Sequence, residues 1–318
     1  MEGVKVADYS FKRKDQAITL ATKAAIKVDG ESIQVDTQLL FQRLVVTAKT
    51  DLKTAMEYEL CTIPKSLFES PDLLHEPQKS ALADTIWTMT GKKDITFGKD
   101  VSYVLDGGAL IHRIPWVRGK TFGSILKLYT DYVLTHYGKA TVFDGYENAS
   151  TKDMAHMRRS KGKKGVSVSF SLEMNLTVTK EVFLNDSKNK QRFVTFLGEE
   201  LQKNGCSVFF DQEDADVQIV KKALEIAKEV DTVLIGDDTD LLVPLLYHDE
   251  PRKNMFFAPE PKKNAKSRVW DIKQVKSDLG SFICKHILFA HAISGSDTTS
   301  RLFGLGKGTI LKKLKENT

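Results

Sequence analysis

The chain has 318 residues, 41% of them hydrophobic, and its 47 Lys and Arg against 42 Asp and Glu give a formal net charge of +5. That is enough chain for two domains, or for one large domain with an appendage, and no apolar run approaches the ~20 residues of a membrane span. The three cysteines, Cys61, Cys206 and Cys284, are odd in number, far apart and in no paired ligand spacing, which argues against a disulfide framework or a cysteine zinc site.

In chain order, residues 1–97 read as a helical N-terminal region whose role is not written in its residues. Helical patterns cover 37–55 and 78–89, with Pro64, Pro71 and Pro77 punctuating the stretch between them. From about residue 98 the pattern becomes α/β. Strands are predicted over 101–105 and 140–143 around a helix over 122–137, then a helix through 154–159. The alternation of Val166, Val168, Phe170 and Leu172 suits an edge strand or a β-like excursion within 165–179. An amphipathic helix over 191–203 stops at Gly205, a strand over 207–210 leads into a helix over 216–229, and 232–235 is the next strand. The basic stretch 251–266 reads as a mobile loop. Asp271 suits the cap of a long helical region ending near Gly295, and a last helical piece covers 309–314. Alternating strands and helices with short links imply right-handed crossovers and a parallel sheet, whose ligands gather at the carboxyl ends of the strands.

Acids stand where those strands end. Ile235-Gly236-Asp237-Asp238-Thr239-Asp240-Leu241-Leu242 crowds three carboxylates at one exit, and Val104-Leu105-Asp106, Val142-Phe143-Asp144 and Phe209-Phe210-Asp211-Gln212-Glu213-Asp214-Ala215-Asp216 repeat the pattern. Like charges this close repel, so a positive charge is expected among them, a metal ion in preference to a base. Taken singly, each acid also suits a turn or a helix cap. Lysines and arginines cluster at Lys161–Lys164, within 252–268 and within 307–315, as a polyanion's phosphates would require.

In these motifs the chain from about residue 98 resembles the PIN-like 5′ nucleases, the flap endonuclease and excision-repair nuclease superfamily. Val104-Leu105-Asp106-Gly107 and Val142-Phe143-Asp144-Gly145 look like the family's first two metal-binding strands, and Glu213-Asp214-Ala215-Asp216 like its acid-Ala-acid pair. Asp238-Thr239-Asp240 is similar to its later acid-x-acid, Gly295-Ser296-Asp297 to its Gly-Ser-Asp, and Phe303-Gly304-Leu305-Gly306-Lys307-Gly308 to its backbone-gripping helix-turn-helix. The resemblance implies a three-layer α/β fold with a central, mainly parallel sheet. It divides the chain into a helical N-terminal region (1–97), a nuclease domain (98–294) and a helix-turn-helix (295–318).

The same resemblance implies hydrolysis of phosphodiester bonds in DNA, with RNA the second choice, by a two-metal mechanism at structured flaps or 5′ ends. Two Mg²⁺ or Mn²⁺ ions would be held by Asp106, Asp144, Asp214 and Asp216 on one side and by Asp238, Asp240 and Asp297 on the other. An all-carboxylate lining suits such hard ions. Lys152, Arg158 and Arg159 would steer the scissile phosphate, and Gly304, Gly306 and Lys307 would grip the backbone. A soluble protein without membrane partners, in the nucleus rather than the cytoplasm, is expected; the start at Met1-Glu2-Gly3-Val4-Lys5 lacks a signal peptide's apolar block. Departures from the pattern are the aspartates at Asp214 and Asp216, where the family usually has glutamates, and an end soon after the last helix.

The rival reading keeps the fold and the basic surface without cleavage, as a nucleic-acid-binding or scaffolding protein. A Walker-type loop at Gly304-Leu305-Gly306-Lys307-Gly308-Thr309 lacks a preceding strand and the Ser or Thr after its Lys. His286 and His291 have no helical metal spacing and read as satisfied histidines. Phe209, Phe210, Phe256 and Phe257 read as strand core.

Overall fold

The computed structural model describes residues 24–28, 31–47, 68–70, 73–74, 78–91, 95–98, 100–145, 166–211, 215–248, 251–260, 268–296, 299–302 and 305–316. The chain packs as two units, 1–75 with 302–304, and 76–301 with 305–318. In the first unit β1 (Ala24–Val28) pairs antiparallel with β2 (Glu31–Val35). The helix α1 (Thr37–Thr47) follows, its start held by the Asp36 carboxylate, which accepts the Leu39 N–H at 2.9 Å. A short antiparallel pair, β3 (Phe68–Ser70) and β4 (Leu73–Leu74), completes what is described of this unit. The helix from Thr37 matches the sequence expectation, whereas both strand pairs lie where only helix and proline-rich linker were read.

The second unit opens with α2 (Ser80–Met89), the helix read from the sequence as part of the N-terminal region. It buries Leu82 and Ile86 among the helices of this unit. The strand β5 (Ser102–Asp106) and the short helix α3 (Gly107–Arg113) lead to α4 (Phe122–Tyr137), capped by Thr121, whose hydroxyl accepts the Ser124 N–H at 3.1 Å. After β6 (Thr141–Gly145) come α5 (Lys180–Leu184), α6 (Ser187–Lys203) and β7 (Ser207–Asp211). Next are α7 (Ala215–Ile226), β8 (Thr232–Ile235), α8 (Thr239–Tyr247), β9 (Met255–Ala258) and β10 (Trp270–Asp271). The chain ends in α9 (Ile272–Leu279), α10 (Ser281–Ile293) and α11 (Lys307–Glu316). Among the described residues no helix is long and apolar enough to cross a membrane.

The six-stranded sheet has the order β10-β9-β8-β5-β6-β7, parallel throughout except for β10. Period-two alternation sorts its side chains onto two faces. Val104 sits level with Leu234, and Leu234 with Phe257; all three enter one core, covered by α2 and α7 to α11. Leu105, Ile235 and Ala258, also level with one another, enter the other core with α3 to α6. Both faces are covered, so β8 is buried along its whole length, as a continuous Thr-Val-Leu-Ile run requires. Each such side chain contributes about 1.5–3 kcal/mol by leaving water, which makes the three-layer arrangement the stable one.

Three local expectations give way. Of the two readings of 166–179 the β-like excursion holds and the edge strand does not: the segment bridges Thr121 through Asn175 at the start of α4, where Gly123 and Phe122 donate to the Leu172 and Met174 carbonyls at 2.8 and 3.0 Å. Buried Asn189 holds its start, accepting the Val168 N–H and donating to Val166 O. The first part of the basic stretch, 251–260, contains β9, whose Phe257 belongs to the core, so apolar burial decides there; residues 261–266 lie outside the described residues. The long helix expected from Asp271 is two helices, because Gly280 breaks it at φ 84°. The helix read through 154–159 lies outside the described residues.

Candidate active site

From β5 the chain winds outward through β6 to β7, then returns to lay β8 on the other side of β5 and winds away through β9. The strand order therefore reverses between β5 and β8. In an open α/β sheet that reversal parts the connections above the carboxyl ends and leaves a crevice there.

Asp106 is the last residue of β5, at this switch point, and its Oδ1 accepts the Gly108 N–H at 2.9 Å. Beside it, Gly236 follows the end of β8. A Cβ there would lie 2.5 Å from Leu241 Cδ1 and 3.5 Å from Asp106 Cβ, so the absence of a side chain lets the two strand ends close up beside the carboxylate. On β6, the backbone of Phe143 is level with Asp106, which sets Asp144 one step further along the adjacent strand; beyond it, Gly145 is level with Asp211 of β7. Asp216 is half-buried in the first turn of α7, the helix that leaves this same edge.

Asp238 caps α8, accepting the Asp240 N–H at 3.0 Å, and Asp240 stands in its first turn. Asp106, Asp144, Asp216, Asp238 and Asp240 thus share the carboxyl edge of one sheet. Only the backbone of Asp144 is described, and Asp214, Asp297, Lys152, Arg158, Arg159 and Gly304 lie outside the described residues. Among the described residues no three His, Cys, Asp or Glu side chains converge closely enough to hold a metal ion.

Two residues that the sequence reading did not assign to the site meet the acids at α8. Lys79, at the start of α2, sets its ammonium 3.1 Å from Asp240 Oδ2 and 3.4 Å from Asp238 Oδ2, across 161 and 159 residues of sequence. Its carbonyl accepts the Thr239 hydroxyl at 3.1 Å, which ties the start of α2 to the start of α8. His291, in the last turn of α10, brings Nε2 to 3.1 Å from Asp240 Oδ1. Oδ1 is a buried carboxylate oxygen, and the His291 ring is the group that faces it at ion-pair distance. Burial by itself would raise the Asp240 carboxyl, but the His291 ring and the Lys79 ammonium hold it well below the usual carboxylate range.

Behind His291 stands Lys307, expected from sequence on a phosphate-gripping turn. It is instead 3% exposed, and its ammonium donates to Gly295 O at 2.6 Å and to His291 Nδ1 at 3.0 Å. An ammonium can only donate, so Nδ1 accepts and the Nε2–H edge of the ring faces Asp240. Gly306, before α11, is half-buried.

The catalytic core of Rad2 in complex with DNA substrate is similar to this chain over 74% of this chain and 66% of that one, at 14% identity and a TM-score of 0.48. The bacteriophage T5 D15 flap endonuclease, in a complex with DNA and metal ions, is similar over 68% of this chain and 75% of that one, at 15% identity and a TM-score of 0.41. A T5 5′-exonuclease with bound zinc is similar over the same shares of the two chains, at 14% identity and a TM-score of 0.38. Likeness at this level assigns no residue a role, and the chain spans about two thirds of the Rad2 core. No protein-family model and no curated protein matches the chain.

Proposed function

We propose that this chain is a divalent-metal-dependent nuclease that hydrolyses phosphodiester bonds in DNA, with structured flaps or 5′ ends as its substrates. The observation that carries the reading is the gathering of Asp106, Asp144, Asp238 and Asp240 at the switch point of a parallel sheet, from strands that span more than a hundred residues. A donor set of carboxylates without thiolates suits an oxygen-preferring cation.

Asp106 and Asp144, with Asp214 and Asp216, would hold such an ion. When bound, it supplies a counter-charge for the phosphate and a hydroxide-like water near neutral pH. Asp106 keeps one carboxylate orientation because Gly108 N–H holds Oδ1. The starts of α7 and α8 turn their positive dipole ends toward the same edge, which favours an approaching phosphate.

The test incubates purified protein with labelled flap, nicked and single-stranded DNA, and with matching RNA, in Mg²⁺ or Mn²⁺, beside Asp106→Asn and Asp240→Asn. Loss of a contact worth several kcal/mol to the transition state slows cleavage on the order of a hundredfold or more, so metal-dependent products that vanish in both variants are expected. No product from any substrate, with nucleic-acid binding unchanged in the variants, would overturn the enzyme in favour of a binding or scaffolding protein.

A further inference from the structure

We propose that the Lys79 ammonium takes the place of a second divalent ion at Asp238 and Asp240, so that the chain binds one divalent ion and supplies the other positive charge itself. The inference rests on the metal-dependent reading above and changes its stoichiometry.

The geometry is that of a bridging cation. Lys79 Nζ reaches Oδ2 of both aspartates, at 3.4 and 3.1 Å, and its side chain is 19% exposed, against 34% and 17% for theirs. A Mg²⁺-like ion would need the same oxygens at about 2.0–2.1 Å. Such an ion between them would stand on top of the ammonium, and like charges do not share that space. One lysine against two carboxylates leaves one net negative charge where a second divalent ion would meet two. The opposite oxygen, Asp240 Oδ1, is faced by the His291 Nε2 edge at 3.1 Å, and Lys307 fixes the orientation of that ring from behind.

Lys79 is also held there rather than merely able to reach. Thr239, 4% exposed, donates its hydroxyl to the Lys79 carbonyl, and fully buried Leu82 and Ile86 anchor α2 against the same helices. A lysine at a helix start opposes the helix dipole. Its placement is unfavourable locally and becomes favourable only through the two carboxylates across the gap.

The experiment titrates Mn²⁺ into the full chain by calorimetry, with electron paramagnetic resonance counting bound ions, for the wild type, Lys79→Met and Lys79→Arg. One ion per chain is expected in the wild type and in Lys79→Arg, and two in Lys79→Met. Circular dichroism checks the fold, and Lys79→Gln replaces Lys79→Met if the latter does not fold. Equal stoichiometry in the wild type and the neutral variant, whether one or two, overturns the inference and leaves the metal site standing. No Mn²⁺ bound by any form overturns the metal-dependent reading, and the inference falls with it.

Discussion

Asp106 and Asp238 each accept a backbone N–H two residues ahead, at 2.9 Å from Gly108 and 3.0 Å from Asp240. A capping role and a place in the acidic edge, which the sequence offers as alternatives for such residues, are here the same geometry: the hydrogen bond that starts the helix also sets the carboxylate at the strand end. The acids were legible because residue type and strand end coincide in the sequence. Lys79 and His291 were not, since nothing near either one in the chain points to partners so distant.

Lys180 offers a test at the same scale. Burial lowers its ammonium to about 8 from the usual 10.5, against a smaller raising influence from Glu181, and its Nζ donates to Ile114 O at 2.7 Å. Between about pH 8 and 10.5 the unfolded chain binds a proton at this residue that the folded chain does not. Unfolding then takes up a proton, so this group's contribution to stability rises with pH through that window and is flat below it. Thermal midpoints of the wild type and Lys180→Met, measured from pH 7 to 10.5, should show a difference that is constant up to about pH 8 and then moves in favour of the wild type. A difference independent of pH would contradict the assignment.

Elements with a strong period of their own fell where the sequence put them. The helix α4 and the strand β8 keep their expected bounds, and α9 starts at the cap read for Asp271, whose carboxylate accepts the Gln274 N–H at 3.1 Å. Replacing that cap, Asp271→Ala, should cost about 1 kcal/mol, seen in denaturant unfolding as a lower midpoint with an unchanged slope. A loss of several kcal/mol would mean that Asp271 does more than cap. The misses have physical reasons. Between β1 and β2 stand Asp29 and Gly30, a pair that favours two-residue hairpins, but the strands it joins are only five residues each, with no regular alternation of polar and apolar side chains to mark them. The strand β9 hides among basic residues because its evidence is burial, with Met255, Phe257 and Ala258 each at 3% exposure or less.

At the scale of the whole molecule, the second unit carries two cores, one on each face of the sheet, and among the described residues every buried member of them lies from Leu82 onward. Residues 76–318 expressed alone should therefore unfold in one cooperative thermal transition and keep the far-ultraviolet signature of mixed α/β structure. A non-cooperative melt would show that the cores depend on the first 75 residues. The start of α2 belongs to this unit, so the truncated chain should also keep the Mn²⁺ stoichiometry of the full one.

By itself the sequence determined the α/β alternation and the strand-end acids, because hydrophobic period and residue type are local properties that survive without neighbours. The tertiary structure alone decided that β8 returns to the far side of β5, placing the switch point at Asp106, and that Lys79 faces Asp238 and Asp240. Strand order and ion pairs across some 160 residues depend on which faces pack together, and no window along the chain contains both partners.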